Sequence, residues 1–537
     1  MQRIQQEDTP ADAVGSGPTV ATPAVGAYKW WVLVTVVFGA FVSILDTTIV
    51  NTALPRMQAV FGADLHQASY ISTGYTLAQG VLVAASGYLA NRFGIKRIYL
   101  GSLTAFTIGS ALCGLSWNAG ALILFRVLQG AGGAALFPLA FALIFSVFPD
   151  QQRGLASGVF GIPVLVAPAI GPTVGGYLVQ YADWRWIFFV NVPIGIAGVI
   201  MGWKVLRASP AQRDLRFDGR GFLLIASGLG LLLYGLSNLA YDGWGSLWTV
   251  SGPILLAMAL LAIYIPVELR TPRPLLDLRL FRDRTFWAGN AIIWVGTVGL
   301  FGAQFLLPQY LQTLRGLAPF PAGLLLLPLG LSALVWTILS GVLYNRVGPR
   351  ALIIVGAVAT AADTYLIGSW STLTSAFGAL LPVLALRGLG QPFLGQTPNT
   401  VALQGVRGRA LPGAITLTVV GRLVVSALAV AVLTNVLQAR RIAHQVDLAN
   451  QLNPRDPAMA ARYARLVASL VRHGMAPGMV RHAVLAGMAA QATRQATALA
   501  FQDTYWLATA LTIPAIALAL LLRPQPGYPG PPGPSST

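Results

Sequence analysis

The stretch Trp30–Pro55, WWVLVTVVFGAFVSILDTTIVNTALP, decides the fold. Its apolar run carries no charge before Asp46. At about 1.5 Å of rise per residue, a helix of this length crosses a hydrocarbon core of about 30 Å. A carboxylate two-thirds of the way along is costly in lipid, roughly 2.5–3.5 kcal/mol on insertion scales, so Asp46 is expected to face a cavity or a helix bundle, near Asn51 and the helix-ending Pro55. Two readings stand. The acid reaches headgroup water from near a span end, or it titrates and faces a passenger inside the bundle. The second reading requires a partner elsewhere in the chain.

Composition points the same way. Of 537 residues, 55% are apolar and only 10% are charged, where soluble domains carry about 25%. The net charge of +18 sits in short clusters between apolar runs, which is how membrane topology is written and is unlike a nucleic-acid-binding surface. Cys113 is alone inside an apolar run, so neither a disulfide framework nor a cysteine metal cluster is available. His66, His444, His473 and His482 fall outside the apolar runs. Residues 1–27 read as a disordered tail without a cleavable signal, and 524–537 as a Pro/Gly-rich tail.

About 14 apolar spans follow one another, and helices are the default because none alternates with period two. Basic loops alternate with poor ones. Arg92, Lys96 and Arg97, Arg153, the run from Lys204 to Arg220, the run from Arg270 to Arg284, Arg346 and Arg350, and Arg407 and Arg409 share one side, so both termini are expected to be cytoplasmic. The departure is residues 438–501, a long segment on the outer side with two amphipathic helical stretches, Pro457–His473 and Pro477–Ala500. It is either a solvated cap or a docking surface for another envelope protein.

The chain repeats itself. Gly87, Leu89, Asn91, Arg92 and Gly94 recur at the same spacing as Gly341, Leu343, Asn345, Arg346 and Gly348; Arg126 with its Val-Leu-Gln-Gly130 is echoed by Arg387-Gly-Leu-Gly-Gln391. Two similar six-span halves with two spans inserted between them follow: 28–210, 211–270 and 271–523. Repeated halves around a midplane site mark secondary transporters. The glycines of the first repeated turn permit close backbone approach, and Arg92, Lys96 and Arg97 can reach helix C-termini or a neighbouring carboxylate as a latch on the inner gate. Arg126, inside a span, needs an acid, and Asp46 is the candidate: an arginine close by favours the ionised carboxylate, and one withdrawn frees it to take a proton. Gly154, Gly158, Gly161, Gly171, Gly175 and Gly176, with Pro163, Pro168 and Pro172, describe a close-packing, bendable fifth span suited to a hinge or seal. Tyr75, Gln79, Trp294, Gln304, Gln309, Tyr310, Gln391, Gln396, Asn399 and Arg422 are polar or aromatic groups in apolar walls, which suits a lipophilic or amphipathic ligand. Asp363 is a second titratable group or an acid near the outer rim.

Taken together these motifs resemble the major facilitator superfamily, and more closely its 14-span drug:proton antiporters of EmrB/QacA type. The resemblance rests on Leu45–Pro55, Gly87–Arg97, Arg126–Gly130, Gly161 with Gly171-Pro172 and Gly176, and Trp184–Pro193, and covers about residues 28–523. It implies an all-α polytopic protein of two six-helix bundles plus two inserted helices, in a bacterial inner membrane. It implies proton-coupled efflux of lipophilic small molecules by alternating access. Asp46 and Arg126 would couple the proton. Gly87, Asn91, Arg92, Gly94, Lys96, Arg97, Gly171 and Pro172 would gate. Asn51, Tyr75, Gln79, Gln304, Gln391, Gln396, Asn399 and Arg422 would line the cavity. Asn453-Pro454 and His473-Gly474-Met475 look like the EmrB branch, which implies a periplasmic adaptor and an outer-membrane channel as partners. Asn91 stands where the superfamily usually has Asp, so the latch would lose a charge pair. A dedicated exporter of one native compound, such as a siderophore, fatty acid or antibiotic, is the alternative on the same fold. No cofactor or metal is expected, and no HExxH, Walker A or GxSxG motif stands in a context that would support an enzyme.

Overall fold

The computed structural model describes residues 26–522, apart from short stretches at 64, 209–210, 213–214, 216, 273, 318, 371–376, 407–409, 452–456 and 473–475. The described residues are helical throughout, with no strand. The N-terminal part consists of α1 (Tyr28–Phe61), α2 (Leu65–Val83), α3 (Ser86–Phe93), α4 (Ile95–Gly114), α5 (Ala119–Gly133), α6 (Leu136–Val147), α7 (Asp150–Tyr181), α8 (Trp186–Phe189) and α9 (Asn191–Val205). α10 (Gly219–Asp242) and α11 (Gly252–Arg270) follow. The C-terminal part consists of α12 (Arg284–Gln309), α13 (Pro319–Val347), α14 (Pro349–Trp370), α15 (Phe377–Gly395), α16 (Thr397–Leu403), α17 (Leu411–Gln451), α18 (Pro457–Arg472), α19 (Pro477–Thr512) and α20 (Pro514–Leu520). Nine helices or joined helix pairs among the described residues are long and apolar enough to cross a membrane.

Local chemistry sets the boundaries. Asn118, Asp218 and Asp283 cap α5, α10 and α12, their side-chain oxygens accepting from Ala121 N (2.7 Å), Gly221 N (2.9 Å) and Phe286 N (2.8 Å). The sequence repeat reappears as backbone geometry. Gly94 joins α3 to α4 at φ 90°, and Gly348 joins α13 to α14 at φ 86°, a region where a side chain is strained. That is why this glycine recurs in both halves.

α1 packs along α7 and also meets α6 and α9; α2 and α4 flank α5. In the C-terminal part α15 lies between α13 and α14, and α17 pairs with α19 and α12. α10 and α11 pack on each other, and α10 touches both α2 and α17, so the inserted pair sits beside the seam between the halves. α11 turns Leu255, Met258 and Ile263 outward, as a lipid-facing helix does.

The halves are joined unequally at their two ends. At the end carrying Tyr28 and the basic loops, a single hydrophobic cluster runs from Leu33, Val83, Tyr99 and Phe145 across to Leu403, Leu411, Ala414 and Ile415. Ser86 Oγ lies 3.0 Å from Thr416 Oγ1. A methyl on Gly87 would stand 2.9 Å from that hydroxyl and 3.2 Å from the Pro412 carbonyl, so only glycine allows this approach. At the opposite end the core divides. One cluster, with Ile49, Met57, Trp184 and Phe188, belongs to the N-terminal half; another, with Leu306, Tyr310, Leu384 and Tyr505, belongs to the C-terminal half. The halves are sealed together at the basic end, their buried clusters are distinct at the other, and α7 and α13 pack on each other across the halves.

Much of 438–501 continues the helices that flank it. α17 continues without a break to Gln451, and α19 runs from Pro477 into the last apolar stretch. No Gly or Pro stands between Gly421 and Gln451, and the residues there are mostly Ala, Leu, Arg and Gln, so nothing stops the helix where its apolar run ends. At 41 residues α17 is about 60 Å long, roughly twice a hydrocarbon core. Arg440 Nε and His444 Nε2 meet Asp503 Oδ2 at 2.5 and 2.8 Å and tie the extension to α19.

Candidate functional site: a buried carboxylate–arginine network

Asp46 of α1 is fully buried, and side chains of α5 and α9 converge on it. Arg126 on α5 donates from Nη1 to Asp46 Oδ2 at 2.5 Å. Gln129, one turn further along α5, donates from Nε2 to Asp46 Oδ1 at 2.9 Å, and Asn191, the first residue of α9, donates from Nδ2 to the same oxygen at 3.0 Å. Arg126 is held in turn. Its Nε donates to the Ile71 carbonyl at 3.0 Å, its Nη1 also reaches Gln129 Oε1 at 2.8 Å, and its guanidinium lies 4.2 Å over the Tyr75 ring. Ser110 on α4 accepts from Asn191 (3.2 Å) and donates to the Phe188 carbonyl (2.9 Å).

This is how a charge survives in an apolar bundle. Two buried ions recover their desolvation cost only with good geometry and with their remaining donors and acceptors satisfied. Here each carboxylate oxygen has a partner. Loosening the Arg126 and Gln129 contacts would need α1 and α5 to shift. The carboxylate is therefore coupled to the helix packing.

α1 packs closely on α7 beside this network. Gly171 and Gly175 of α7 lie directly against Thr48 and Thr52, so that α1 and α7 touch backbone to side chain. The same helix turns Gly158 and Gly161 toward Thr337 of α13, in the other half. α7 thus bears on both halves through glycines. The side chain of Pro172 lies outside the described residues.

Arg92 and Lys96 turn into their own half. Arg92 donates to the Leu215 carbonyl, and Lys96 to the carbonyls of Trp203, at 2.9 Å, and Leu206. They cap the end of α9 and anchor the strand-free connector that follows, where the Asn91 carbonyl also accepts from Gln212 N at 2.9 Å. Arg97 is exposed and Gly94 buried. Backbone carbonyls at the end of α9 and in the connector are thus the partners of Lys96 and Arg92, and contact across the halves is made by Ser86 and Gly87.

The expected cavity residues scatter. Asn51 is exposed and accepts from Ser72 at 3.2 Å. Tyr75 is buried, its hydroxyl 3.1 Å from Ser43 Oγ and accepting from half-buried Gln79. Gln391 is half-buried, and Gln396 is buried beside Gly161. Asn399 bonds locally to the Gly395 carbonyl at 2.7 Å. Half-buried Arg422 of α17 stacks 4.8 Å over Phe137 of the other half. The side chain of Gln304 lies outside the described residues. Sequence reasoning missed Gln129 and Asn191 as Asp46 partners, although both stand inside quoted motifs, Gln129 one helical turn after Arg126.

A family model described as Major Facilitator Superfamily matches residues 36–430. A multidrug resistance protein B homolog of Mycobacterium tuberculosis is 35% identical over 369 residues, covering 67% of this chain and 68% of that one. The multidrug export protein EmrB of Escherichia coli is 28% identical over 513 residues, 95% of this chain and 98% of its own. Among solved structures, the proton:xylose symporter XylE aligns with a TM-score of 0.58 at 13% identity, over 92% of this chain and 95% of that one, which is a likeness of fold.

Proposed function

The chain belongs to the Major Facilitator Superfamily, and on that premise we propose that it is a proton-driven multidrug exporter working by alternating access. The observation that carries the reading is the Asp46–Arg126 pair at 2.5 Å, a buried acid against a buried arginine in an apolar bundle. Relatives named for multidrug resistance and export support the direction and the class of passenger.

The cycle runs as follows. With the basic end shut, the other end faces outside. A proton from outside binds Asp46 as Arg126 withdraws to Gln129 and the Ile71 carbonyl, both of which it already holds. The neutral acid lets α1 slide on the α7 glycines, the basic end opens, and a lipophilic compound enters as the proton leaves inward. Arg126 then closes on the ionised acid and the halves reset. Each charge moved inward contributes about 2.3 kcal/mol per 100 mV. The positive-inside bias supports cytoplasmic termini and a bacterial inner membrane location, with bundles at 28–210 and 271–523 flanking an inserted pair, 14 spans in all.

The α17–α19 extension, with amphipathic α18 beside it, is the surface available outside the membrane for a periplasmic adaptor leading to an outer-membrane channel. Deleting 457–472 should leave transport in vesicles intact and weaken adaptor pull-down; unchanged pull-down would remove this role.

The test of the transport reading is reconstitution. Purified protein in liposomes with an imposed pH gradient should concentrate members of a panel of lipophilic cations and acids against their gradients. No accumulation of any panel member, or accumulation indifferent to the gradient, rejects the reading.

A further inference from the structure

The C-terminal half holds a second buried acid–arginine pair that the Asp46 cycle does not use. Asp363 on α14 and Arg387 on α15 are 0% and 1% exposed, and Arg387 Nη1 stands 3.6 Å from Asp363 Oδ2. That is within ionic reach and beyond a hydrogen bond. Both carboxylate oxygens and the Nε and Nη1 of Arg387 lack a hydrogen-bond partner; the arginine's anchor is Nη2, which donates to the Leu300 carbonyl at 3.0 Å. Tyr505 on α19 is fully buried, its hydroxyl also unpartnered, and lies within electrostatic reach of both charges. Arg387 and Tyr505 are the charged or titratable groups that act on Asp363 from the helices packed against α14.

A structural ion pair is ordinarily closed by hydrogen bonds, because unpaired buried polar atoms are costly. This one leaves both carboxylate oxygens and two of the arginine's nitrogens open. Tyr505 shares a buried cluster with Tyr310 and Leu306, at the end of this half away from the basic loops.

We propose that Asp363 is a second proton-binding carboxylate, held beside Arg387 and Tyr505 and loaded from the outer end independently of Asp46. The proton adds to one carboxylate oxygen. Arg387 keeps its own protons and stays on the Leu300 carbonyl. After the halves reorient, the same proton leaves from that oxygen toward the basic end, and the ion pair re-forms. The inference rests on the proton-coupled reading above and adds stoichiometry to it: about two protons per cycle, one from each half.

The test is the proton-to-substrate ratio in proteoliposomes, obtained from the substrate gradient that balances an imposed pH gradient. The wild type should give about two and Asp363→Asn about one, with Asp363→Glu restoring the wild-type ratio. Should Asp363→Asn not survive purification, the wild type still decides. A hydrophobic carbodiimide, which modifies protonated buried carboxyls, should label Asp363 in acid and not in alkali, by peptide mass mapping. A ratio unchanged in Asp363→Asn, or no labelling of Asp363 at any pH while Asp46 is labelled, overturns the second site and leaves the first reading intact. No proton movement in the wild type would instead reject the coupled reading itself.

Discussion

The two halves each bury one acid against one arginine, and they build the pair differently. Arg126 and Arg387 occupy corresponding places in the repeat, but their acids come from different helices, Asp46 from α1 and Asp363 from α14. At the glycine repeat's offset of 254 the position matching Asp46 is Leu300, and at the arginines' own offset of 261 it is Leu307; neither is acidic, and Arg387 takes the Leu300 carbonyl. In the N-terminal half the carboxylate has three donors and a contact of 2.5 Å; in the C-terminal half it stands off at 3.6 Å with none. A duplicated scaffold has kept its cation and relocated its anion. The first pair is fastened to helix packing, and the second is loose enough to exchange a proton with little rearrangement.

Removing the cations is the sharpest way to break this contrast. Arg126→Leu leaves Asp46 buried beside Gln129 and Asn191 without a counter-charge and should cost about 3–5 kcal/mol, read as a large fall in thermal midpoint in detergent. Adding Asp46→Asn to it should recover part of that loss. Arg387→Leu should cost less, about 1–3 kcal/mol, since few hydrogen bonds are lost with it. Equal losses would mean that the 3.6 Å separation carries no energetic meaning. Asn191→Ala removes one of three donors to Asp46 and should cost about 0.5–1.5 kcal/mol, with a shift in the pH dependence of transport that a purely structural loss would not produce. The smallest effect belongs outside both pairs: Arg440→Ala, on the half-exposed Asp503 contact, should change stability by about 0–1 kcal/mol and leave transport unaltered.

The first pair was legible in the sequence because ionisable residues are so few inside the apolar runs that Asp46 and Arg126 have almost no other partners to choose. The repeated glycine was legible too, and Gly94 and Gly348 show its cause in their positive φ. Gln129 and Asn191 were harder, since amides are common in such spans and nothing in spacing alone aims Asn191 at α1. Asp363 stood out as an acid in a span, but its pairing did not: a repeat predicts where Arg387 sits but not which helix answers it. The run of α17 past residue 437 escaped notice because hydropathy marks where lipid ends, not where helix ends. Contacts such as Gly87 against Thr416 belong to one conformational state, and a sequence encodes both states at once.

The most direct test of the account is pH-gradient-driven accumulation in inside-out vesicles carrying either the wild type or Asp46→Asn, at matched protein levels. The account predicts strong uptake by the wild type and a fall of at least about tenfold in the variant, with downhill substrate exchange retained, since the neutral side chain keeps the bundle packed but cannot carry a proton. Gradient-driven uptake at the wild-type level in Asp46→Asn would contradict it.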